Sequence, residues 1–558
     1  MASPDSDIGA SFDYDFIIIG SGFGGSVAAL RLSEKGYKVL VLEKGMRLSA
    51  ADFPKSNWDV KRWLWLPCLR CFGLFKLTFF RHVCVLSGVG VGGGSLVYAN
   101  TLPIPKQSFF TSPSWAHLAD WETELRVHYQ TALRMLGAAT NPRLESGDLA
   151  LRELGRQIGM EQHFEATQVS VFFGEPDKTV PDPYFNGKGP ERAGCVFCGG
   201  CMTGCRHNAK NSLDKNYLYL AEKLGAVIQP ESLVTGVRPL AADDGADGYC
   251  VDWQPGATRK GAGGALRCRG AVFAGGVLGT LELMLQLKQS TLPRLSGRLG
   301  HGVRTNSEAL IPVTVPDGKS VFSDGIAIGS ILHTDAHSHL EPVRYGAGSG
   351  FWRLGMGPRV FHPNGVMRLL KLAGDWFAHP LTNLKVVFVD DWAKRTQILL
   401  FMRTIDSTLR MVLGRYGLST RLDAGPAPTA FMPEARELSE RFAAIVGGKP
   451  VALVSETLFG IPSTAHILGG ACMGRDASEG VIDSDNRVFG YRNLYVCDGS
   501  MISANPGVNP SLSITAISER AMSKLPPRDL QSERAKAERY RERAQGSRSQ
   551  PENPAVTP

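Results

Sequence analysis

The strongest regular pattern of apolar and polar residues lies between residues 15 and 43. Residues 16–19 are a short run of Phe and Ile, which is typical of a buried parallel strand. Residues 26–34 place Val27 and Leu30 on one face, which predicts a helix, and residues 38–42 predict a second buried strand. This order of strand, helix and strand indicates the start of an α/β domain with a parallel sheet.

A glycine turn joins the first predicted strand to the helix. Gly20, Gly22 and Gly25 have the G-x-G-x-x-G spacing, which allows a tight turn, a close approach of pyrophosphate and helix–strand packing. The N-terminus of the following helix offers free N–H groups to phosphates. Glu43 ends the second strand, where a carboxylate can accept hydrogen bonds from ribose hydroxyls. We therefore predict a dinucleotide site, although this motif alone does not distinguish FAD from NAD.

Further segments can face the same ligand. Residues 88–94 contain five glycines, too many for a regular helix or strand, so the backbone there can approach a flat ligand. Residues 271–274 predict a buried strand that runs into Gly275, and residues 494–497 predict another that runs into Asp498. We expect both turns to lie at the same end of the sheet as the first one.

The middle of the chain, residues 306–460, has weaker patterns. Residues 311–315 and 399–402 predict strands, and residues 366–377 predict an amphipathic helix. We expect this region to supply a substrate domain with α+β character, built on a mixed or antiparallel sheet. The predicted fold class is therefore α/β, with a Rossmann-type domain and a second, discontinuous domain.

Composition and charge narrow the function classes. Of 558 residues, 43% are hydrophobic and 20% are charged, as in ordinary globular proteins, and the net charge is +8. We find no basic and aromatic cluster typical of nucleic-acid binding, no secretory signal and no apolar run near the roughly 18 residues of a membrane span. We expect a cytoplasmic protein that binds no nucleic acid.

An apolar segment at residues 62–86 permits two interpretations. It is rich in Trp, Phe and Leu, but Pro67 and basic residues such as Arg70 and Lys76 interrupt it. The first interpretation is a buried cover over the nucleotide domain. The second is a basic, apolar lip that contacts lipid or admits an apolar substrate, which would make the protein peripherally membrane-associated.

The eleven cysteines favour thiols or a metal site over disulfides in a chain without a signal. Cys195, Cys198, Cys201 and Cys205 have the C-x2-C-x2-C-x3-C spacing of ferredoxin-type clusters, although Arg206 replaces the usual proline. An iron–sulfur cluster, a zinc-binding turn and a loop of reduced thiols all remain open. We favour the thiols and assign no metal.

Separated motifs together resemble one enzyme family. They are the GSGFGG turn with Glu43, the GVGGGSLV stretch, the AHILGG segment with His466, and residues 493–522. This combination resembles the glucose–methanol–choline (GMC) flavoprotein oxidoreductases, and within them the bacterial cholesterol-oxidase-like branch. The resemblance covers roughly residues 13–525.

The resemblance implies FAD in a Rossmann-type domain that the chain leaves and re-enters. The FAD-binding domain would comprise residues 11–110, 200–305 and 470–525. The substrate domain would comprise residues 111–199 and 306–469. The charged residues 527–558 lack an apolar stripe and would form a tail outside both domains.

The family's cofactor contacts carry over to matching positions of this chain. Glu43 would hold the adenosine ribose, and Val234 would lie near the adenine. Asp498 and Gly499 would approach the ribityl-phosphate. The contacts to the pyrophosphate and flavin would come from Gly20, Gly22, Gly25, Gly93, Gly94, Ser95, Tyr98, Gly275 and Asn509.

His466 matches the family's active-site histidine. Oxidation of an alcohol removes a proton from oxygen and a hydride from carbon, so a group with a pKa near 7 can accept the proton while flavin N5 accepts the hydride. Asn509 can hydrogen-bond the substrate oxygen while charge develops on it. The resemblance therefore implies catalytic roles for His466 and Asn509.

The expected function is oxidation of the hydroxyl of a bulky apolar alcohol, a sterol such as cholesterol or a long-chain lipid alcohol, with O2 or another acceptor. One alternative is a flavin dehydrogenase that passes electrons through the site at residues 195–205. Another is a lipid-binding flavoprotein with little turnover. Steroid isomerisation is not expected, because residues 347–352, which we match to the family's isomerase segment, contain no carboxylate and Glu341 is out of register.

Overall fold

The computed structural model describes residues 12–529, except positions 259–260, 317, 319, 361, 363 and 406. Most of the predicted tail, residues 530–558, therefore lies outside the described residues. Within the described residues, no helix combines the length and apolar character needed to cross a bilayer. The helices are α1 (Phe23–Glu34), α2 (Val60–Trp63), α3 (Gln107–Phe110), α4 (Trp121–Met135), α5 (Ser146–Gln157), α6 (Tyr217–Lys223), α7 (Gly276–Lys288), α8 (Gly365–Ala378), α9 (Pro380–Val387), α10 (Trp392–Arg395), α11 (Pro433–Val446), α12 (Val454–Phe459) and α13 (Ser511–Ser523).

The strands form two large sheets and several small ones. In chain order they are β1 (Tyr14–Ile19), β2 (Val39–Leu42), β3 (Trp65–Leu66), β4 (Cys71–Phe72), β5 (Phe75–Phe79), β6 (Cys84–Gly88), β7 (Ala139–Thr140), β8 (Phe164–Ala166), β9 (Gln168–Val169), β10 (Thr179–Val180), β11 (Arg192–Ala193), β12 (Val227–Gln229), β13 (Ser232–Pro239), β14 (Tyr249–Pro255), β15 (Gly264–Phe273), β16 (Val303–Arg304), β17 (Ala309–Thr314), β18 (Ser330–His333), β19 (Ser338–Val343), β20 (Met356–Pro358), β21 (Thr396–Arg403), β22 (Thr408–Gly414), β23 (Gly417–Ala424), β24 (Lys449–Leu453), β25 (Ser463–Thr464) and β26 (Leu494–Val496).

The first large sheet contains the predicted nucleotide-binding strands. Its order is β12–β2–β1–β15–β14–β13, and β26 also pairs with β15. β12, β2, β1, β15 and β26 are parallel, whereas β14 pairs antiparallel with β15 and β13 pairs antiparallel with β14. The apolar run of β1 and all of β2 are buried, because helices and neighbouring segments cover both faces. The predicted strand, turn, helix and strand are confirmed, with α1 starting at Phe23.

α13 ties the helices of this sheet together. Nearly all of its residues are buried, and it packs against α1 and α4. Arg31 on α1 donates to both carboxylate oxygens of Glu519 on α13, at 2.7 and 2.8 Å, and Tyr217 Oη donates to Glu519 at 2.6 Å. Three segments distant in sequence are thus joined by one buried charged group.

The second large sheet lies against the first domain. Its order is β20–β24–β17–β21–β19–β18–β8, and all its neighbouring strands are antiparallel. α5 and α11 cover one face, where Leu151, Leu154, Phe401 and Phe442 form a buried cluster. The other face borders a cavity shared with the first sheet. The predicted α/β class with a second, antiparallel domain is confirmed.

The two large sheets match the domain division proposed from the sequence, but helix α4 does not pack with the domain proposed for it. The strands of the second sheet come from residues 164–166 and 309–453, which supports the division proposed from the sequence. α4, however, belongs to the segment 111–199 assigned to the substrate domain, and its residues Trp121, Leu125 and Tyr129 are buried in the first core. α4 therefore packs with the nucleotide-binding core, because its apolar face meets α13.

The apolar segment 62–86 is buried in part. Trp63 and Leu74 are fully buried, and Trp63 stacks on Phe75 with ring centroids 4.9 Å apart. Leu69 and Phe79 are its exposed large apolar side chains. The buried residues fit the first interpretation, whereas the exposed Leu69 and Phe79 leave the lipid-contacting lip a proposal.

We predict that Glu519→Ala lowers the free energy of unfolding by about 3 to 5 kcal/mol, because Arg31 would keep a charge that has lost its buried partner. The matched control is Glu437→Ala, which removes an exposed pair with Arg441 and should change stability by less than about 1 kcal/mol. Urea unfolding midpoints of both holoenzymes check this. Equal midpoints would contradict a structural role for the buried pair.

Candidate active site

A cavity of about 1080 Å³ lies between the two large sheets. Glycine turns at the ends of the first sheet form one side, and apolar residues of the second sheet form the other. The sequence-predicted residues that line it are Gly20, Gly22, Glu43, Gly93, Gly94, Tyr98, Val234, Gly275, His466, Asp498, Gly499 and Asn509. The structure thus gathers most of the predicted site.

Gly25 and Ser95 lie behind the cavity wall and do not line it. A Cβ at Gly25 would be 2.2 Å from Gly20 O, so this glycine lets α1 pack against the turn. Ser95 Oγ donates to Gly92 O at 2.7 Å and accepts from Leu213 N–H at 3.0 Å. Both residues shape the turns that form the wall, and their contact with the cofactor stays a prediction.

The glycine turn before α1 combines a crowded position with an open one. Gly20 has φ +104°, and a Cβ there would be 2.4 Å from Ala274 O. At Gly22 no atom lies within 4 Å of the Cβ position, whereas a Cβ at Gly93 would be 2.8 Å from Gly22 Cα. The second glycine segment therefore closes on the turn but leaves an open cradle at the start of α1. This cradle suits a pyrophosphate, which the N–H groups of a helix N-terminus attract.

Glu43 is buried on the cavity wall at the end of β2. Its Oε2 accepts from the N–H and Oγ of Ser21 at 3.1 and 2.7 Å, and its Oε1 accepts from Gly45 N–H at 2.9 Å. Ser21 Oγ also accepts from Gly92 N–H at 3.1 Å, which links both glycine segments. A carboxylate has about four acceptor positions, so Glu43 keeps capacity for a ribose hydroxyl.

Asp498 organises the turn at the other end of the cavity. Its Oδ2 accepts from Thr280 Oγ1 at 2.5 Å, and its Oδ1 accepts from the N–H and Oγ of Ser500 at 2.8 and 2.5 Å. Thr280 Oγ1 in turn accepts from Gly275 N–H at 3.1 Å. Burial raises the pKa of Asp498 above its ordinary value, against the lowering effect of these hydrogen bonds. The carboxyl group therefore fixes the start of α7 beside the cavity.

His466 lies on the cavity wall and is held by a buried carboxylate. Its Nδ1 lies 2.7 Å from Oε2 of Glu308, and its backbone N–H donates to Thr464 Oγ1 at 3.0 Å. Thr464 Oγ1 donates to the other oxygen of Glu308. Because the carboxylate accepts the proton of Nδ1, Nε2 is the ring nitrogen left to meet a ligand.

The environment of His466 favours its protonated form. Burial alone would lower the pKa of the imidazole, but the charge and hydrogen bond of Glu308, with a smaller contribution from Glu341, outweigh it and raise the pKa above its ordinary value. A histidine in this setting is a strengthened base when neutral and a stabilised cation after it accepts a proton.

Asn509 is buried on the cavity wall directly before α13. Among the described residues, no group hydrogen-bonds to its Oδ1. Buried polar atoms of native proteins are nearly always paired, so this oxygen indicates a ligand position. His466 and Asn509 thus both line the cavity, and their catalytic roles stay predictions.

Two buried carboxylates, Glu308 and Glu341, lie near His466, and the sequence analysis assigned neither of them to the site. Glu308 precedes β17, and Glu341 interrupts the apolar strand β19. Glu341 pairs with Leu400 and shares a strand face with Val343, and both of these apolar residues line the cavity. The available signal was a carboxylate inside an apolar strand pattern. Glu341 thus stands on the strand face that borders the cavity, and the absence of steroid isomerisation stays a prediction from residues 347–352.

The four cysteines of residues 195–205 are free thiols in the structure. Within the described residues, no group of three or more His, Cys, Asp or Glu side chains is arranged to hold a metal ion. Burial raises the pKa of Cys195 to about 12 and that of Cys201 to about 11, so these thiols stay protonated at neutral pH. The choice among an iron–sulfur cluster, a zinc-binding turn and reduced thiols stays a prediction, in which we favour the thiols.

The cysteine loop supports the cavity through a buried lysine. Lys210 Nζ donates to the carbonyls of Leu96, Tyr98 and Cys201 at 3.0, 2.9 and 2.9 Å. Burial lowers the pKa of Lys210 to about 8. The lysine therefore attaches the loop to the end of the second glycine segment. No motif in the sequence predicts this link.

Comparisons with known proteins agree with this geometry. Residues 390–518 match the GMC oxidoreductase family, and residues 18–58 match the NAD(P)-binding Rossmann-like domain. The chain is 43% identical over 550 residues to a cholesterol oxidase of Acinetobacter baumannii, which covers 95% of this chain and 98% of that one. It is 42% identical to a cholesterol oxidase of Mycobacterium tuberculosis, over 98% of this chain and 97% of the relative.

Two more distant likenesses also extend over most of this chain. A long-chain-alcohol oxidase of Arabidopsis thaliana is 25% identical over 94% of this chain and 69% of its own length. The solved structure of pyridoxine 4-oxidase from Mesorbium loti matches 91% of this chain and 98% of its own with a TM-score of 0.59. At 14% identity, this last likeness concerns the fold alone.

The residues on the cavity wall fit FAD. The open position at Gly22, the remaining acceptor capacity of Glu43 and the unpaired Oδ1 of Asn509 all face one cavity that is large enough for a cofactor and a substrate. This chain belongs to the GMC oxidoreductase family, as a cholesterol-oxidase-like, FAD-dependent alcohol oxidoreductase.

Proposed function

We propose that this enzyme oxidises the hydroxyl group of a sterol or a long-chain lipid alcohol, with O2 as the electron acceptor. The observation that carries the proposal is His466, which is held by the buried Glu308 and lies on the wall of a largely apolar cavity. The names of the related cholesterol oxidases and long-chain-alcohol oxidases support the same substrate class.

The substrate side of the cavity is suited to a bulky apolar molecule. The second sheet contributes Leu310, Pro312, Val343, Ile398 and Leu400 to its wall. Phe351, Trp352 and Met356 add further apolar surface. Apolar walls bind hydrocarbon without orienting it, so the polar groups of the wall must determine which atom of the substrate is placed for reaction.

The reaction requires a group that takes the hydroxyl proton. Nε2 of His466 can accept it, and the Glu308 carboxylate then stabilises the resulting imidazolium. The Asn509 amide can hydrogen-bond the substrate oxygen as negative charge develops on it. FAD, when bound, supplies the acceptor for the hydride that leaves the carbinol carbon.

We propose that the cofactor is held by the turns described above. Glu43 would bind the adenosine ribose, and the backbone at Gly22, Gly93 and Gly94 would hold the pyrophosphate. Val234 would border the adenine. Near the flavin, the proposed contacts are Tyr98, Gly275, Asp498, Gly499 and Asn509.

An anaerobic titration tests the proposal. Cholesterol, a long-chain primary alcohol and a sugar are added in turn to the holoenzyme while the visible flavin absorption is recorded, and O2 is then admitted. We expect bleaching by one of the two lipid alcohols and rapid recovery with O2. Bleaching by the sugar alone would refute the substrate class. A flavin that none of the three reduces would favour the lipid-binding alternative, and a flavin that recovers only with another acceptor would favour a dehydrogenase.

We predict that Glu43→Gln weakens FAD binding by about 1 to 3 kcal/mol, because an ionised acceptor at the ribose position is lost. The dissociation of FAD, followed by the rise of its fluorescence on dilution, measures this. Glu153→Gln, at an exposed position on α5, is the control and should retain FAD like the unmodified enzyme. Equal retention in all three proteins would contradict a cofactor role for Glu43.

We predict that His466→Ala slows flavin reduction by about 10² to 10⁴ while the FAD spectrum is kept, because the proton acceptor is lost. His466→Gln can still hydrogen-bond the hydroxyl but cannot accept its proton at neutral pH, so it separates positioning from proton transfer. Stopped-flow reduction by the best alcohol is the measurement, with His117→Ala as a control at a partly exposed histidine. A wild-type rate in His466→Ala would refute base catalysis by this residue.

We predict that Glu308→Gln moves the acidic limb of the pH–rate profile to lower pH. The limb reflects protonation of His466, and removal of the Glu308 charge removes the main cause of its raised pKa. The plateau rate should also fall, because the imidazolium loses its partner. Glu341→Gln should shift the limb in the same direction but less, since Glu341 contributes less to the raised pKa. An unmoved limb in Glu308→Gln would show that another group titrates.

A further inference from the structure

Two histidines and a carboxylate form a row across strands β18 and β19 of the second sheet. His333 of β18 pairs directly with His339 of β19, and their ring centroids are 5.9 Å apart. His339 and Glu341 are two positions apart on β19, so they share one strand face. Nε2 of His339 lies 3.5 Å from Oε1 of Glu341. We call His333, His339 and Glu341 the polar row.

The polar row extends from the cavity face of the sheet to the protein surface. At the inner end, Glu341 shares its strand face with Val343 and pairs with Leu400, and both of these apolar residues line the cavity. At the outer end, the side chain of His333 is 29% exposed, and its Nε2 lies 3.7 Å from a carboxylate oxygen of the exposed Glu165. The row therefore connects the cavity wall with solvent.

The buried polar atoms of the row lack partners. Nδ1 of His333, Nε2 of His339 and both carboxylate oxygens of Glu341 have no hydrogen bond in the part of the chain that the structure describes. His339 and Glu341 are only 1% and 0% exposed. Buried polar atoms of native proteins are nearly always paired with protein or with ordered water. Water bound between these groups would pair them and would join the row into one hydrogen-bonded chain.

The outer histidine is held in the neutral form. Burial, Lys106, His339 and His163 together lower the pKa of His333 to about 4. A neutral imidazole has one N–H group and one bare nitrogen, so it can accept a proton on one side and release one from the other. The carboxylate of Glu165 can stabilise the positive charge while a proton passes.

The inner end of the row acts on the base of the proposed reaction. The charge of Glu341 contributes to the raised pKa of His466. The other nearby carboxylate, Glu308, already accepts hydrogen bonds from His466 Nδ1 and Thr464 Oγ1, so it holds the imidazole in place. His466 is itself buried, and a substrate in the cavity would separate it further from bulk water. A proton taken up by His466 therefore requires a route out of the site.

We propose that the polar row carries protons between His466 and solvent. This inference rests on the proposed alcohol oxidation. In that reaction the O–H bond of the alcohol breaks and its proton passes to Nε2 of His466, while the hydride of the carbinol C–H bond is accepted by FAD. The alcohol is oxidised and FAD is reduced. The proton on His466 then passes along Glu341, His339 and His333 to water, so the two histidines of the row act through His466.

Proton release during anaerobic flavin reduction tests the proposal. The holoenzyme is mixed with the best alcohol in weak buffer that contains a pH-indicator dye, at a pH where the resting His466 is neutral. Stopped-flow absorption follows flavin bleaching and the dye together. For the unmodified enzyme we expect proton release in step with bleaching. In His339→Phe, which keeps an aromatic ring but no ring nitrogen, release should lag behind the first bleaching by about tenfold or more, because a proton-transferring group is lost.

His333→Ala tests the outer end of the row by chemical rescue. We expect proton release to lag in this variant too. Because His333 is partly exposed, imidazole can enter the space that its side chain leaves. Imidazole should therefore shorten the lag, whereas a bulky buffer of equal buffering capacity should not. A residue with a purely structural role would not respond to this difference. His128→Phe, at a partly buried histidine of α4, is the control and should release its proton in step with bleaching.

The outcomes separate this inference from the proposed function. A flavin that no alcohol bleaches would overturn both. Normal bleaching with unchanged proton release in His339→Phe and His333→Ala would overturn the proton route alone. An equal lag in His128→Phe would also overturn it. If His339→Phe loses FAD, as its visible spectrum would show, His333→Ala decides: a lag that imidazole does not shorten refutes the route.

Discussion

The cofactor side of this enzyme depends on close backbone contact between segments that are far apart in sequence. A Cβ at Gly20 would be 2.4 Å from Ala274 O, and a Cβ at Gly24 would be 1.7 Å from Cys497 O. No side chain fits at either contact, so the first turn, the end of β15 and the end of β26 must meet as bare backbone. This explains why the chain leaves the first domain and returns to it twice: three strands have to end at one place for the cavity wall to exist.

The substrate side depends on buried negative charge around one histidine. Glu308 hydrogen-bonds His466, and Glu341 lies on the cavity face of β19. Burial of an ionised carboxylate is unfavourable unless a partner compensates it. The imidazolium formed when His466 accepts a proton would provide that compensation, so the same charges that destabilise the resting site stabilise it during the reaction.

Local spacing could predict the nucleotide turn, because glycines and an acidic residue within one strand–helix–strand unit define it. The pair of His466 and Glu308 could not be predicted, because 158 positions separate the two residues and Glu308 belongs to no motif described here. The position of Glu341 on the cavity face of β19 could not be predicted either, because this face is known only once β19 is paired with β21. Periodicity predicted a helix at residues 366–377, found as Gly365–Ala378.

The surroundings from which the substrate enters determine what the cavity has to recognise. An apolar alcohol that comes from water gains roughly 25 cal/mol for each Å² that it buries. An alcohol that moves from a bilayer into apolar walls gains little from this term, because both surroundings are apolar. Selection would then depend on the hydroxyl. Beside a lipid without a hydroxyl, Nε2 of His466 would stay unsatisfied, which costs about 1 to 3 kcal/mol for a buried polar group. The few polar atoms of the wall would therefore select an alcohol from a bilayer that consists mostly of other lipids.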